Sequence, residues 1–186
     1  IGRAAAVGAG GPESVRSPEA RSSDTLRSGM PRSPALASPR TLARWLASCA
    51  LIVLAVVVMG GYTRLTHSGL SIVEWQPIVG TIPPFGGDQW DRVFAKYQET
   101  PERQKLNWTM SLGEFKEIYM VEWIHRSLAR LSGLVFGVPF VYLLVTRRLT
   151  GPQILRLLGI LILGVLQAAL GWYMVASGLV DVPQVS

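Results

Sequence analysis

The sequence has few of the residues that build disulfide frameworks or metal clusters. Its 186 residues include one cysteine, Cys49, and two histidines, His67 and His125. A lone cysteine excludes an internal disulfide and a cysteine-based metal site. There is also no glycine-rich phosphate loop, no nucleophile triad motif and no Cys/His zinc pattern. The usual sequence signs of nucleotide-binding domains, hydrolases and zinc modules are therefore missing.

Large apolar side chains are nearly absent from residues 1–40, which are rich in Ser, Arg, Ala, Gly and Pro. Such a segment cannot bury enough surface to offset its ordering entropy, so we expect a disordered, cytoplasmic N-terminus. The chain begins with Ile1. Met30, which precedes Pro-Arg-Ser-Pro, is a candidate start of the translated protein.

Beyond residue 40 the chain is strongly apolar. Hydrophobic residues make up 49% of the sequence, and mean hydropathy is +0.31. Roughly 20 apolar residues in a helix cross a bilayer core of about 30 Å. Segments of this kind run from Trp45 to Tyr62, from Ile118 to Val145 and from Leu157 to Leu179. The sequence therefore predicts an all-α membrane protein with three transmembrane helices.

The basic residues indicate orientation rather than nucleic-acid binding. The net charge is +6, but the arginines flank the predicted spans instead of clustering on one amphipathic face. Short cytoplasmic flanks are enriched in Lys and Arg. Two flanks carry arginines without acids. One precedes the first span and contains Arg40 and Arg44, and the other lies between the second and third spans and contains Arg147, Arg148 and Arg156. We therefore expect a cytoplasmic N-terminus and an external loop over residues 63–117, whose charge is mixed.

The external loop is too long for a simple turn. Trp90, Phe94 and Tyr97 are spaced four and three apart, which fits one face of a short helix. Ser111 followed by Glu114 predicts a capping box at the start of a second short helix. Together these helices would lie over the mouth of the bundle as a lid.

The turn from Glu122 to Arg126 is the most informative part of the chain, because ionisable residues inside a membrane span are costly and usually functional. Glu122 and His125 are three apart and share a helix face. A neutral imidazole can bind iron, and a nearby carboxylate can move protons. Arg126 and Arg130 offer forked donors suited to carboxylates such as haem propionates. Glu122 is alternatively a structural partner of Arg126, four residues on.

At these residues the sequence resembles the haem A synthase family, in its proteobacterial and mitochondrial branch. The resemblance covers roughly residues 45–186 and depends on four stretches in a specific order. They are Gly60 to Ser71, Pro83 to Tyr97, Glu114 to Arg126, and Leu170 to Leu179.

That resemblance implies eight membrane helices in two four-helix halves, of which residues 41–186 would be part of the N-terminal half. It implies oxidation of the C8 methyl of haem O to a formyl group, giving haem A. In the family pattern a glutamate stands three residues before the first haem-ligating histidine, and these positions are Glu122 and His125 here. We expect Glu122 to be catalytic and His125 to be an axial ligand of the haem iron. The partner histidine is expected beyond Ser186, and haem b is expected in the second half. The fragment by itself would then be inactive.

The resemblance also implies partners and a location. These are haem O and haem A, the membrane, haem O synthase, cytochrome oxidase assembly factors and a homo-oligomer, with no nucleic acid. The membrane would be the bacterial inner membrane, or the mitochondrial inner membrane in a eukaryote. Two alternatives stay open from the residues alone: a b-type electron-transfer cytochrome, in which Glu122 only tunes His125-bound haem, and a cofactor-free transporter or assembly module.

Overall fold

The computed structural model describes residues 35–74 and 79–178. The described residues contain helices and no strands. The helices are α1 (Pro39–Leu65), α2 (Gly87–Gln98), α3 (Pro101–Lys105), α4 (Leu112–Val145) and α5 (Gly151–Gly178), with a 3-10 turn at Val79–Thr81. Helices α1, α4 and α5 are long and apolar enough to cross a membrane. The predicted fold class is therefore confirmed: the chain is a helical membrane protein.

Helix α1 begins earlier than the sequence pattern indicated. Ser38 caps it by accepting a hydrogen bond from the Thr41 amide, and Pro39 occupies the first turn, where its missing amide costs nothing. The helix therefore includes the last two residues of the segment predicted to be disordered. Residues 1–34 of that segment lie outside the described part of the chain.

Helix α4 corrects the prediction of a separate short helix after Ser111. The capping box forms as expected, with Ser111 and Glu114 satisfying each other's backbone amides. The helix that it starts then continues to Val145, with Pro139 in its interior. It runs into the apolar span because no proline separates the cap from Ile118. Since α1 ends at Leu65 and α4 begins at Leu112, the loop is shorter than residues 63–117.

The α1–α4 pair forms the body of the protein. The indole Nε1 of Trp45 donates to the Val135 carbonyl at 2.8 Å, and its ring stacks on Phe136 at 5.4 Å between centroids. A buried apolar cluster continues from this contact to the start of α5, and comprises Cys49, Phe136, Phe140, Leu143, Leu149 and Leu157. This cluster lies at the end of the bundle away from the loop and fixes α4 against α1.

Helices α2 and α3 are here called the lid (Gly87–Lys105), and α2 packs on the beginning of α4. Tyr97 is fully buried and stacks on Phe115 at 4.9 Å between ring centroids. Trp90 meets Tyr119 edge-on at 5.2 Å, and Phe94 contacts Phe115 at 5.1 Å. The expected aromatic face of α2 is therefore confirmed, and it holds the lid on α4.

The described residues cover helix α5 much less than they cover α4. Only Leu157 and Gly178 are buried along its described length. Its exposed apolar side chains include Leu163, Val165, Leu166, Leu170, Trp172 and Tyr173. Within the described residues, α5 contacts the rest of the protein mainly near its beginning, through Ile154, Leu157 and Leu161.

Candidate functional site

Glu122 lies buried where the loop meets α4, with 2% of its surface exposed. One carboxylate oxygen accepts hydrogen bonds from the Ser71 hydroxyl at 2.5 Å and from the Ile72 amide at 2.8 Å. The other accepts from the Arg126 guanidinium at 2.5 Å. A buried carboxylate is tolerated when its oxygens are paired in this way. Glu122 therefore fastens the residues after α1 to the side of α4.

Arg126 completes this polar junction. Its Nη2 donates to Glu122 and also to the Ile72 carbonyl at 3.1 Å. Its side chain is 13% exposed, compared with 2% for Glu122. Both partners are thus largely removed from water, so losing one would leave a poorly solvated charge on the other.

Arg130 lies one turn further along α4 and reaches a different part of the loop. Its Nη1 donates to the Gly80 carbonyl at 3.3 Å. Arg126 and Arg130 both line a cavity of about 70 Å³ between the loop and α4. Ser71, Glu74, Lys96 and Tyr119 also line this cavity. Its volume suits water or one carboxylate group and is far below the several hundred Å³ of a whole-ligand pocket.

His125 faces a different neighbour. Its imidazole lies against Gly60 of α1, where an added Cβ would be 3.0 Å from Nε2. The ring is half-buried and has no hydrogen-bond partner among the described residues. An imidazole that is neither paired nor fully solvated in an apolar span is available to a metal. Glycine at position 60 is what lets the ring approach α1 this closely.

The structure brings together three of the four predicted site residues. Glu122, Arg126 and Arg130 all contact the loop, whereas His125 contacts α1 and does not line the cavity. Sequence reasoning anticipated the pairing of Glu122 with Arg126 as an alternative to a catalytic role. It missed the contributions of Ser71, Ile72 and Gly60, because contacts between distant segments leave no local spacing pattern.

The described residues carry groups that suit a haem, but the cavity that Arg126 and Arg130 line is too small to enclose one. The ring nitrogens of His125, which have no hydrogen-bond partner among the described residues, are of the kind that serves as an axial ligand of iron. Arg126 and Arg130 have donors that suit propionates, although both already bind loop carbonyls.

These features define a multi-span helical membrane protein with a buried polar junction and a small cavity at the loop end of its bundle. The chain belongs to the cytochrome oxidase assembly protein family, whose COX15-CtaA model matches residues 43–186.

Curated relatives agree with the family model. The chain is 54% identical over 147 residues to a protein named heme A synthase from Nitrosospira multiformis, covering 79% of this chain and 41% of that protein. It is 51% identical over 147 residues to the heme A synthase of Paramagnetospirillum magneticum, covering 79% and 42%. The chain therefore spans about two fifths of the length of these relatives. No solved structure matches it.

Proposed function

We propose that this chain is the N-terminal portion of a haem A synthase, an oxidoreductase that converts the C8 methyl of haem O to a formyl group. The heme A synthases to which the chain is similar support the substrate class. The geometric observation that carries the proposal is His125, a half-buried imidazole without a hydrogen-bond partner among the described residues, set against Gly60. An unpaired imidazole in a membrane helix has the nitrogen lone pair that an iron ligand requires.

In this proposal His125 binds the iron of haem O as a neutral imidazole, and the haem supplies the redox chemistry needed to oxidise a methyl group. Its partner ligand would come from a part of the enzyme outside this chain, as would a second, b-type haem. The activity therefore belongs to the full-length enzyme, and we expect the fragment alone to be inactive.

Glu122 is the proposed proton-handling residue. Its carboxylate lies one helical turn from His125 and is held by three donors from two different segments. Such fixation positions a base against a substrate. It equally suits a purely structural clasp, which is what a b-type electron-transfer cytochrome would need. Arg126 and Arg130 are proposed to hold the propionates, exchanging their loop carbonyls for carboxylates.

A histidine comparison in the full-length protein tests the haem assignment. We expect His125→Ala to lose most bound haem O, because an axial ligand is removed. His67→Ala is the matched control, since His67 is the other histidine of the chain and is exposed. Haem extracted from each purified variant and quantified by chromatography gives the readout. Equal haem content in the two variants would overturn the assignment.

The proposed location is the inner membrane, of a bacterium or of a mitochondrion, with the N-terminus in the cytoplasm or matrix. The arginine flanks support this orientation. Cysteine substitution of Gln98 in α2 and of Gln153 in α5, with an impermeant thiol reagent on intact cells, is the test. The native Cys49 is buried and gives a low background. We expect label at position 98 only, and label only at position 153 would show the inverse topology.

Haem O synthase, cytochrome oxidase assembly factors and further copies of the same chain are proposed partners. The family description, which names cytochrome oxidase assembly, supports the first two. Co-purification of the full-length protein with each candidate, before and after removal of haem, is the test.

A further inference from the structure

The small cavity between the loop and α4 is lined by charged residues from three parts of the chain. Arg126 and Arg130 line it from α4. Lys96 lines it from α2, and Glu74 lines it from the segment that follows α1. Because the cavity is only about 70 Å³ in volume, these charged residues lie close together. The proposed reaction gives no role to Lys96 or to Glu74.

The two guanidinium groups are fixed at the wall of this cavity. Arg126 Nη2 donates to the Ile72 carbonyl at 3.1 Å. Arg130 Nη1 donates to the Gly80 carbonyl at 3.3 Å. Ile72 and Gly80 are themselves lining residues. A guanidinium has five N–H donors, which is more than one carbonyl accepts, so the same arginines can also bind a carboxylate.

Positive charge is in excess around the cavity. Three of the charged residues that line it are cations, and one, Glu74, is an acid. Glu122 adds a second acid, because it pairs with Arg126. The three cations and two acids leave one positive charge in excess, beside a space that suits a single carboxylate group. A polar cavity with this charge balance attracts an anion.

The ion pair between Lys96 and Glu74 is one that a ligand can replace. The two side chains are 50% and 47% exposed, and ion pairs that water can reach contribute little to stability. Since both residues line the cavity and are also half-exposed, a ligand can approach the cavity past this pair. Glu74 is itself a carboxylate, so a carboxylate of the ligand can take its place on the Lys96 ammonium.

We propose that this cavity binds one carboxylate group, with Lys96 as its third cation and Glu74 as an internal competitor for that cation. A ligand carboxylate that binds the two guanidinium groups displaces Glu74 and pairs with Lys96. Because Lys96 belongs to the lid, the bound ligand then holds the lid to α4. The carboxylate has two possible sources, a haem propionate and a free carboxylate anion. For a haem propionate, the inference rests on the proposed function.

Two charge-removing variants of the full-length protein should change the affinity for haem O in opposite directions. Lys96→Met removes a cation that binds the ligand, and we expect roughly 10-fold weaker binding. Glu74→Gln removes the competitor, and we expect binding about 3-fold tighter. An ion pair that only fastened the lid would give weaker binding in both variants. Lys105→Met and Glu99→Gln, at exposed positions of the lid, are the matched controls, and absorbance titration is the measurement.

The dimethyl ester of haem O, whose propionates are blocked, identifies the group that binds. We expect the two variants and the wild-type protein to bind this ester equally. Any pattern other than opposite changes with free-acid haem O would overturn the carboxylate site, and so would the same opposite changes with the ester. In either case haem A formation by the wild-type enzyme would leave the proposed function standing.

Acetate gives a readout that depends neither on haem nor on activity. In Glu74→Gln, acetate should slow the acylation of the Lys96 amine by an amine-reactive reagent, and the acylation of exposed Lys105 should not change. Mass spectrometry of the labelled peptides measures both rates. Protection of Lys96 by acetate in a protein that binds no haem O would support the carboxylate site and refute the haem assignment. Neither haem binding nor protection by acetate would overturn both.

Discussion

The end of α4 next to the loop and the helix α5 differ in how far the described chain covers their side chains. At the loop end, the aromatic side chains Tyr97 and Phe115 and the charged residue Glu122 are almost completely removed from solvent by the protein itself. Along α5, apolar residues such as Leu163 and Leu170 stay two-thirds or nearly two-thirds exposed within the described chain. The first region buries polar groups among specific partners, and the second presents a mainly apolar surface.

This difference distinguishes residues that only keep a helix in the membrane from residues that are candidates for a chemical role. Apolar surface such as that of α5 is what lipid or another helix can cover, and it requires no particular partner geometry. Buried charge at Glu122 is costly unless every oxygen is satisfied, so it has to be maintained by specific contacts. We therefore expect the polar end of α4 to tolerate substitutions less well than α5 does.

The largest difference between the two regions should appear on truncating apolar side chains. Phe115→Ala removes a fully buried ring that stacks on Tyr97, and we expect it to cost about 3–5 kcal/mol in the free energy of unfolding. Leu163→Ala, on the exposed side of α5, should cost far less unless a segment outside this chain covers it. Denaturation of both full-length variants in the same detergent gives the comparison. Similar losses would mean that α5 is covered as tightly as the lid.

Breaking the ion pair at the loop end should have the next largest effect. Arg126→Ala leaves the Glu122 carboxylate buried with one partner fewer, at an expected cost of about 3–5 kcal/mol. Arg92→Ala is the control, because Arg92 is an exposed arginine of α2. Limited proteolysis of the loop should be accelerated in the first variant only. Unchanged cleavage in Arg126→Ala would show that Ser71 and Ile72 hold Glu122 well enough without the arginine.

A smaller and more local effect is expected where α1 meets His125. In Gly60→Ala the new Cβ would be 3.0 Å from His125 Nε2, so the ring has to move. Overpacking of this kind costs about 1–3 kcal/mol, and we expect reduced haem O content with an intact fold. Gly61→Ala is the control, since its Cβ meets nothing within 4 Å. Equal haem content in the two glycine variants would argue against a ligand role for this face of His125.

Most of the fold could be predicted from the sequence, because membrane helices are encoded by long apolar segments. The three spans, the aromatic face of α2 and the Ser111–Glu114 capping box follow from local patterns. The beginning of α1 and the continuity of α4 from its cap into the second span did not follow, since caps such as Ser38 and Ser111 extend a helix into polar sequence that has no apolar signal.

The candidate site was predictable in its members but not in its contacts. Glu122, His125 and Arg126 stand out because charge inside an apolar span is rare. The binding of Glu122 by Ser71 and Ile72 depends on how the loop folds back on α4, about 50 residues away in sequence. The pairing of Lys96 with Glu74 is also tertiary, because the two residues are 22 positions apart and in sequence resemble any other charges of a polar loop.

Replacing Glu122 tests most directly whether the polar end of α4 performs chemistry or only holds the loop. Glu122→Gln keeps the shape of the side chain and removes its charge, and Glu117→Gln on the exposed side of the same helix is the control. Haem extracted from the full-length variants and separated by chromatography is the measurement. The account predicts that Glu122→Gln retains haem O and forms little haem A, while the control forms haem A normally. Normal haem A in Glu122→Gln would contradict it and leave this carboxylate as a structural clasp.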